Sequence, residues 1–208
     1  MARPRILMAD DHQMLLDAFT VMLEQDFDVV GAVTDGRALL QEFARLNPDI
    51  VLLDVAMPLL NGLDAARQLK ATRRTVKLIF LTMNPDPDLA SEALRLGASG
   101  YVLKSSAARE LKQAIQEALR GRSYITPLIT RDVVGSLIHH GAPRTQLTGR
   151  QREVLQLIAE GKSMKEAAAI LDLTPRTIAF HKYRMMEQLD LKTTAELVKF
   201  AVRRGVVE

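Results

Sequence analysis

Three aspartates, a threonine and a lysine directly follow short apolar segments in the first part of the chain. They are Asp10, Asp11, Asp54, Thr82 and Lys104. If the apolar segments are parallel strands, these side chains meet at the carboxyl edge of one sheet, where open α/β folds bind ligands. Three clustered carboxylates repel one another, and a hard cation such as Mg²⁺ relieves that repulsion. The set predicts a metal-assisted phosphoryl site with Asp54 as nucleophile and Thr82 and Lys104 binding phosphoryl oxygens.

Each of these residues also has a simpler explanation. Taken singly, Asp11 or Asp54 could be the N-cap residue of the helix that follows it. Thr82 could be a turn residue, and Lys104 could be an ordinary surface lysine. The combination favours the site, because five suitable side chains follow four different strand segments in order.

Apolar segments alternate with amphipathic ones through the first 121 residues. Continuous Val, Ile and Leu runs are typical of strands covered on both faces, and intervening helices imply a parallel sheet. We therefore expect a flavodoxin-like, doubly wound α/β domain. Its five predicted strands are Arg5–Ala9, Asp28–Val33, Ile50–Leu53, Lys77–Leu81 and Gly100–Leu103.

Beyond Gly121 the pattern becomes helical. We predict a first domain at 1–121, a connecting helix (Leu128–His140) and linker (Gly141–Arg144) within 122–146, and a small four-helix domain at 147–208. Helix starts are indicated by Thr174-Pro175 and by three capping-box patterns. The capping-box patterns are Thr148-x-x-Gln151, Ser163-x-x-Glu166 and Thr193-x-x-Glu196.

The segment 174–189 is predicted to be a helix with two different faces. Ile178, His181, Met185 and Leu189 form a stripe that a small domain would bury. The other side combines cations with aromatic rings, which indicates a polyanionic partner such as DNA. This candidate DNA face comprises Thr174, Arg176, Thr177, Ala179, Phe180, Lys182, Tyr183 and Arg184.

Charge and composition agree with two domains that have different partners. The chain has 208 residues and a net charge of +3. Up to Gly121 it carries about 14 basic against 16 acidic residues, and beyond it about 14 against 9. Ordinary fluctuation of surface charge is the alternative. The chain has no cysteine, and no apolar run reaches the roughly 20 residues of a membrane helix. We expect a cytoplasmic protein.

Several motifs resemble the receiver domain of bacterial response regulators. They are Ala9-Asp10-Asp11-His12, Leu53 to Pro58 with Asn61-Gly62, Leu81-Thr82, and Gly97 to Lys104. The resemblance implies phosphorylation of Asp54 by a sensor histidine kinase and Mg²⁺ bound by Asp10, Asp11, Asp54 and the Ala56 carbonyl. It also implies a switch in which the Thr82 hydroxyl moves to the phosphoryl oxygen and the Tyr101 ring moves inward.

The sequence from Leu147 to His181 resembles the LuxR-type helix-turn-helix, which completes the NarL/FixJ class of response regulators. This resemblance implies that residues 174–189 enter the major groove of promoter DNA. It further implies a homodimer when phosphorylated, with pairing through the last helix, Thr193–Arg204. In this class an inactive receiver can cover the recognition helix, and we expect the Phe180 and Tyr183 rings to suit that contact.

Three other functions compete with a phosphorylation-regulated transcription factor. A constitutive DNA-binding protein with the receiver as dimerisation scaffold is disfavoured by the intact set of acidic residues, threonine and lysine. A phosphorelay or protein-binding module is disfavoured by the basic helix. An independent enzyme is disfavoured because nothing outside the receiver looks catalytic, so we expect only self-phosphorylation and slow self-hydrolysis.

Overall fold

The computed structural model describes residues 3–139 and 147–207. The predicted linker, Gly141–Arg144, and the last residue of the predicted connecting helix lie outside these ranges. Within the described residues, no helix combines the length and the apolar character that crossing a lipid bilayer requires.

Six parallel strands form one sheet in the order β2-β1-β3-β4-β5-β6 among the described residues. The predicted doubly wound sheet is confirmed, but the predicted count of five strands was wrong. The sixth strand has two residues and pairs with β5, with Tyr124 opposite Gly100 and Ile125 opposite Tyr101. Such a short strand has no apolar run to indicate it. The strands are β1 Arg5–Ala9, β2 Asp28–Val33, β3 Ile50–Asp54, β4 Lys77–Thr82, β5 Gly100–Leu103 and β6 Tyr124–Ile125.

Five helices cover the two faces of this sheet and bury a separate apolar core on each. Leu39, Phe43 and Leu69 lie in the core on one face, and Leu16 and Ile115 lie in the core on the other. Burial on both faces explains why the strands are continuously apolar. The helices are α1 Gln13–Leu23, α2 Gly36–Leu46, α3 Gly62–Thr72, α4 Pro87–Arg95 and α5 Ala107–Leu119.

The connecting helix α6, Pro127–His139, packs on the first domain. Val133 is buried in the same apolar core as α4. The Ser136 hydroxyl donates to an Asp88 carboxylate oxygen at 2.7 Å, and the Ser91 hydroxyl donates to the Val133 carbonyl at 3.3 Å. Strand β6 and helix α6 therefore extend the first domain beyond Gly121.

Four helices follow: α7 Gly149–Ala159, α8 Met164–Leu171, α9 Pro175–Gln188 and α10 Thr194–Arg203. The capping boxes at Thr148 and Ser163 are confirmed, as is the Thr174 cap before Pro175. The third box differs. Thr193 caps the Glu196 amide, while the Glu196 carboxylate accepts from the Lys192 amide instead of closing the box on Thr193.

The predicted core of this second domain is largely confirmed. The spacing of apolar residues predicts a core of nine side chains in these four helices: seven of them are buried, whereas Ile170 and Leu189 are half-buried at its margin. Because Ile178 and Met185 are fully buried, the opposite face of α9 points away from the domain. The buried residues are Leu155, Ile158, Leu171, Ile178, Met185, Leu197 and Ala201.

The loop between β3 and α3 packs tightly against its own strand. The Gly62 amide donates to the Val55 carbonyl at 2.8 Å, and a Cβ at Gly62 would overlap the Asp54 carbonyl oxygen. In contrast, a Cβ at Gly135, inside helix α6, would meet no atom within 4 Å.

We expect Gly62→Ala and Gly135→Ala to have opposite effects on the free energy of unfolding. Overlap with backbone should make Gly62→Ala destabilising by about 2 kcal/mol or more. Gly135→Ala should stabilise the protein by about 0.5–1 kcal/mol, because alanine favours a helix over the unfolded chain. Urea titration followed by circular dichroism measures both, and equal stability of the two variants would contradict the packing at Gly62.

Candidate functional site

The predicted acidic residues converge at the carboxyl edge of the sheet. Strands β1 and β3 are neighbours with Ala9 opposite Leu53, so Asp10, which follows β1, lies beside Asp54, the last residue of β3. One ligand atom from each of Asp10, Asp11, His12 and Asp54 lies within 4.8 Å of the others. Asp10 and Asp54 are buried, whereas Asp11 and His12 are exposed.

His12 was not assigned a role from the sequence, yet it belongs to this cluster. Its Nδ1 atom lies 2.7 Å from an Asp11 oxygen and 3.2 Å from an Asp10 oxygen. The negative charge of Asp11 is the main cause of a raised His12 pKa. When protonated, the His12 imidazole offsets part of the negative charge of Asp10 and Asp11 at the open side of the crevice.

Lys104 holds the buried carboxylates together. Its Nζ atom lies 2.7 Å from Asp10 Oδ2 and 2.6 Å from Asp54 Oδ2. Burial alone would lower the Lys104 pKa, but the two carboxylates outweigh burial and raise it. Lysine therefore stays charged in a site that is closed to water.

Burial raises the pKa of Asp54 to about 6, and the nearby Asp10 charge adds to this effect. The hydrogen bond from Lys104 and the Val55 amide, which donates to Asp54 Oδ1 at 2.6 Å, act in the opposite direction. One lysine thus leaves the buried negative charge incompletely balanced. Hard oxygen donors carrying excess negative charge fit a metal ion.

Thr82 and Tyr101 lie beside this cluster on β4 and β5. The Thr82 side chain is buried, and its hydroxyl accepts from the Asn84 amide at 3.1 Å. The Tyr101 ring is fully buried next to Phe80, and its hydroxyl donates to the Asn84 carbonyl at 3.1 Å. The Tyr101 ring is thus already buried in the first domain, which is the position that the family resemblance implies after switching. Burial raises the pKa of the Tyr101 hydroxyl.

The candidate DNA face of α9 is open to solvent. The Phe180 and Tyr183 side chains are 59% and 65% exposed, and the Lys182 ammonium lies 5.7 Å from the Tyr183 ring centre. The Thr174 hydroxyl caps the helix by accepting from the Thr177 amide. Of the predicted contacts, Thr174, Arg176, Phe180, Tyr183 and Arg184 are exposed, and Thr177, Ala179 and Lys182 are half-exposed.

The expected covering of α9 by the receiver is not observed. The receiver instead contacts α7 of the second domain, through Arg37, Asp64 and the loop that follows Asp54. This contact was not predicted from the sequence, because it joins residues that are about 90 to 115 positions apart. The Phe180 and Tyr183 rings consequently remain available to another partner.

Comparison with known proteins identifies both domains. Residues 6–116 match the response regulator receiver domain, and residues 145–201 match the luxR family of bacterial regulatory proteins. The chain is 31% identical to the oxygen regulatory protein NreC of Staphylococcus carnosus and 32% identical to the transcriptional regulatory protein LiaR of Bacillus subtilis. Both alignments cover 98% of this chain and 99% of the relative.

Solved structures of the response regulator RcsB share this two-domain architecture. One, from Salmonella typhimurium, is 27% identical with a TM-score of 0.66, covering 96% of this chain and 97% of that one. An RcsB–DNA complex is 26% identical with a TM-score of 0.61, covering 96% and 98%. The chain therefore belongs to the NarL/FixJ class of response regulators, which join a receiver domain to a LuxR-type DNA-binding domain.

Proposed function

We propose that Asp54 is the phosphoacceptor of this response regulator and that its phosphorylation regulates transcription through α9. The observation that carries the proposal is the buried junction of Asp10, Asp54 and Lys104, with Thr82 on the neighbouring strand end. A cation, a hydroxyl and a nucleophilic carboxylate beside one another are what in-line phosphoryl transfer needs.

The donor in this proposal is a phosphohistidine of a sensor kinase. An Asp54 carboxylate oxygen attacks phosphorus, the phosphorus–nitrogen bond breaks, and the imidazole nitrogen leaves with its electron pair. With a pKa of about 6, Asp54 is mostly ionised at neutral pH and needs no general base. Lys104, now paired with Asp54, is placed to move to a phosphoryl oxygen.

Mg²⁺ is the metal that the donor set fits best. Asp10, Asp11, Asp54 and the Ala56 carbonyl would hold it, and bound there it would neutralise charge on the phosphoryl oxygens. Thr82 would donate its hydroxyl to the phosphoryl group, and Tyr101 would be held inward behind it. The new charge of about −2 beside Lys104 would bias the receiver toward this packing.

The DNA-binding part of the proposal rests on the exposed cations and rings of α9. Arg176, Lys182 and Arg184 would contact phosphates, while Ala179, Phe180 and Tyr183 would reach base edges. Apolar side chains at these positions favour contact with thymine methyl groups and dependence on DNA shape. Action on promoter DNA, as a homodimer when phosphorylated, would place the protein in the cytoplasm.

We expect Asp54→Asn to abolish phosphorylation, because the amide is not a nucleophile of comparable strength. The measurement is the intact mass of the full-length protein after incubation with Mg²⁺ and a small phosphoramidate. Asp17→Asn, a matched change at an exposed position of α1, should leave phosphorylation unaffected. A phosphorylated Asp54→Asn protein would refute the assignment.

Arg184→Ala should weaken binding to duplex DNA and reduce the slope of log affinity against log salt by about 1, because one phosphate contact is lost. Arg109→Ala removes the same charge from the exposed surface of α5 and serves as control. Fluorescence anisotropy at several salt concentrations measures both slopes. An unchanged slope in Arg184→Ala would exclude this phosphate contact.

Full-length protein with Mg²⁺ and beryllofluoride, a phosphoryl mimic, should double its mass in light scattering. Each component alone should leave a monomer, because both are needed to complete the charged site. A constant mass in all four conditions would favour the alternative function, in which DNA binding does not depend on phosphorylation.

A further inference from the structure

The loop from Val55 to Asn61 joins the proposed phosphoacceptor to helix α3 and contains Ala56, a proposed metal ligand. Leu59, in this loop, has a backbone φ of +65°, a left-handed conformation that is uncommon for a bulky residue. Such a conformation persists where surrounding contacts hold it. Within the receiver, the Pro58 carbonyl accepts from the Leu60 and Gly36 amides, and further contacts to the loop come from the DNA-binding domain.

Gln156 of α7 is fully buried against this loop. Its Oε1 atom accepts from the Asn61 amide at 2.7 Å and from Asn61 Nδ2 at 3.1 Å. Its Nε2 atom donates to the Met57 carbonyl and to Glu160 Oε1, each at 2.7 Å. One side chain of the second domain therefore satisfies backbone groups at two points of the loop.

Glu160 holds the middle of the same loop. Its Oε1 atom accepts from the Leu59 amide at 3.0 Å, and the Leu59 side chain packs on the core of the DNA-binding domain. Gln156 and Glu160 thus span the loop from Met57 to Asn61. We call these two side chains the clamp.

Charged groups fix the position of α7 beside the clamp. Arg152 Nε lies 2.5 Å from Asp64 Oδ1 on α3, and Arg37 Nη2 lies 3.2 Å from Glu153 Oε2. The Asp64 carboxylate is almost fully buried, which makes this pair sensitive to geometry. The domains therefore meet in one defined orientation.

A cavity of about 360 Å³ lies beside the clamp and connects it to the acidic crevice. Ala56 and Asp11, both proposed metal ligands, line this cavity together with Glu160. The position of the loop decides where the Ala56 carbonyl lies relative to Asp11. Contacts that fix the loop consequently also fix the distance between these two proposed metal ligands.

We propose that Gln156 and Glu160 are positioning residues for the receiver's metal and phosphoryl site, acting from the DNA-binding domain through the Met57–Asn61 backbone. The inference rests on the proposed function, because it takes Ala56 as a metal ligand. Docking of the domains and metal binding then favour each other, and linkage makes this coupling equal in both directions. The Phe180 and Tyr183 side chains on the candidate DNA face of α9 stay exposed in the docked arrangement, so the docked receiver does not cover them.

The test compares full-length wild type with Gln156→Met, which keeps the side-chain length but removes the hydrogen bonds. Amide hydrogen exchange of Leu59 and Asn61 by NMR reports docking, since both amides donate to the clamp. Calorimetric titration with Mg²⁺ reports the metal site. We expect faster exchange at both amides and Mg²⁺ binding weakened about five-fold, or about 1 kcal/mol.

Two further variants separate positioning from general damage. Gln113→Met is the same substitution on the exposed surface of α5 and should change neither measurement. Glu160→Gln retains an oxygen that accepts from the Leu59 amide, so it should perturb exchange and Mg²⁺ binding less than Glu160→Leu does. Slow exchange at the buried amides of Val102, in the receiver, and Met185, in the DNA-binding domain, confirms that both domains of each variant are folded.

Three outcomes would overturn the inference. Faster exchange in Gln156→Met with unchanged Mg²⁺ affinity would leave the clamp a docking contact alone. Unprotected Leu59 and Asn61 amides in the wild type would mean that the domains do not dock in solution. A wild type that fails to bind Mg²⁺ despite protected amides would instead refute the metal assignment of the proposed function, and with it the positioning role.

Discussion

Burial of like charge at the end of the parallel sheet is the constraint on which the rest of the structure depends. Asp10 and Asp54 lie at adjacent strand ends because β1 pairs with β3, and both are closed off from water. One lysine between them keeps this arrangement folded, while burial still raises the Asp54 pKa to about 6. The site therefore forms in the folded protein but keeps an excess of negative charge, which suits it to bind a cation.

The same constraint explains why the backbone around the site is so closely packed. Gly62 brings the start of α3 onto the Asp54 carbonyl, and a Cβ at Gly36 would overlap the Leu60 carbonyl. These approaches leave the intervening loop little freedom to relax by itself. In the proposed function, a change in charge at Asp54 would act on this loop, and the loop is in contact with α7.

The site was predictable because its signals are local. An apolar strand followed by a particular polar residue fixes where that residue lies once the strands are parallel, which is why Asp10, Asp54 and Lys104 were placed together correctly. The helix caps and the burial of Ile178 and Met185 on α9 were predictable for the same reason, whereas His181 and Leu189 of the predicted stripe are half-buried. Such patterns involve residues within four positions of one another, so the start, the buried face and the terminal residue of each element can be predicted from its own sequence.

The contact between the domains was not predicted, because its residues have at most a weak local pattern. Gln156 is a polar residue in an amphipathic helix, where the ordinary expectation is exposure, yet it is fully buried by a loop about 95 positions away. One weak signal existed in the apolar pair Leu59-Leu60, which follows Pro58 in a turn where polar residues are usual. Leu60 enters the receiver core and Leu59 contacts the other domain.

This arrangement implies a route from the phosphoryl site to DNA that does not require uncovering of the recognition helix. The loop after Asp54 touches Gln156 on α7, and α7 shares its buried core with Ile178 and Met185 of α9. Under the proposed function, the receiver would control the orientation of the two domains more than access to α9. In a dimer on DNA, two recognition helices must match half-sites one helical turn apart, so a fixed domain orientation decides whether both can bind together.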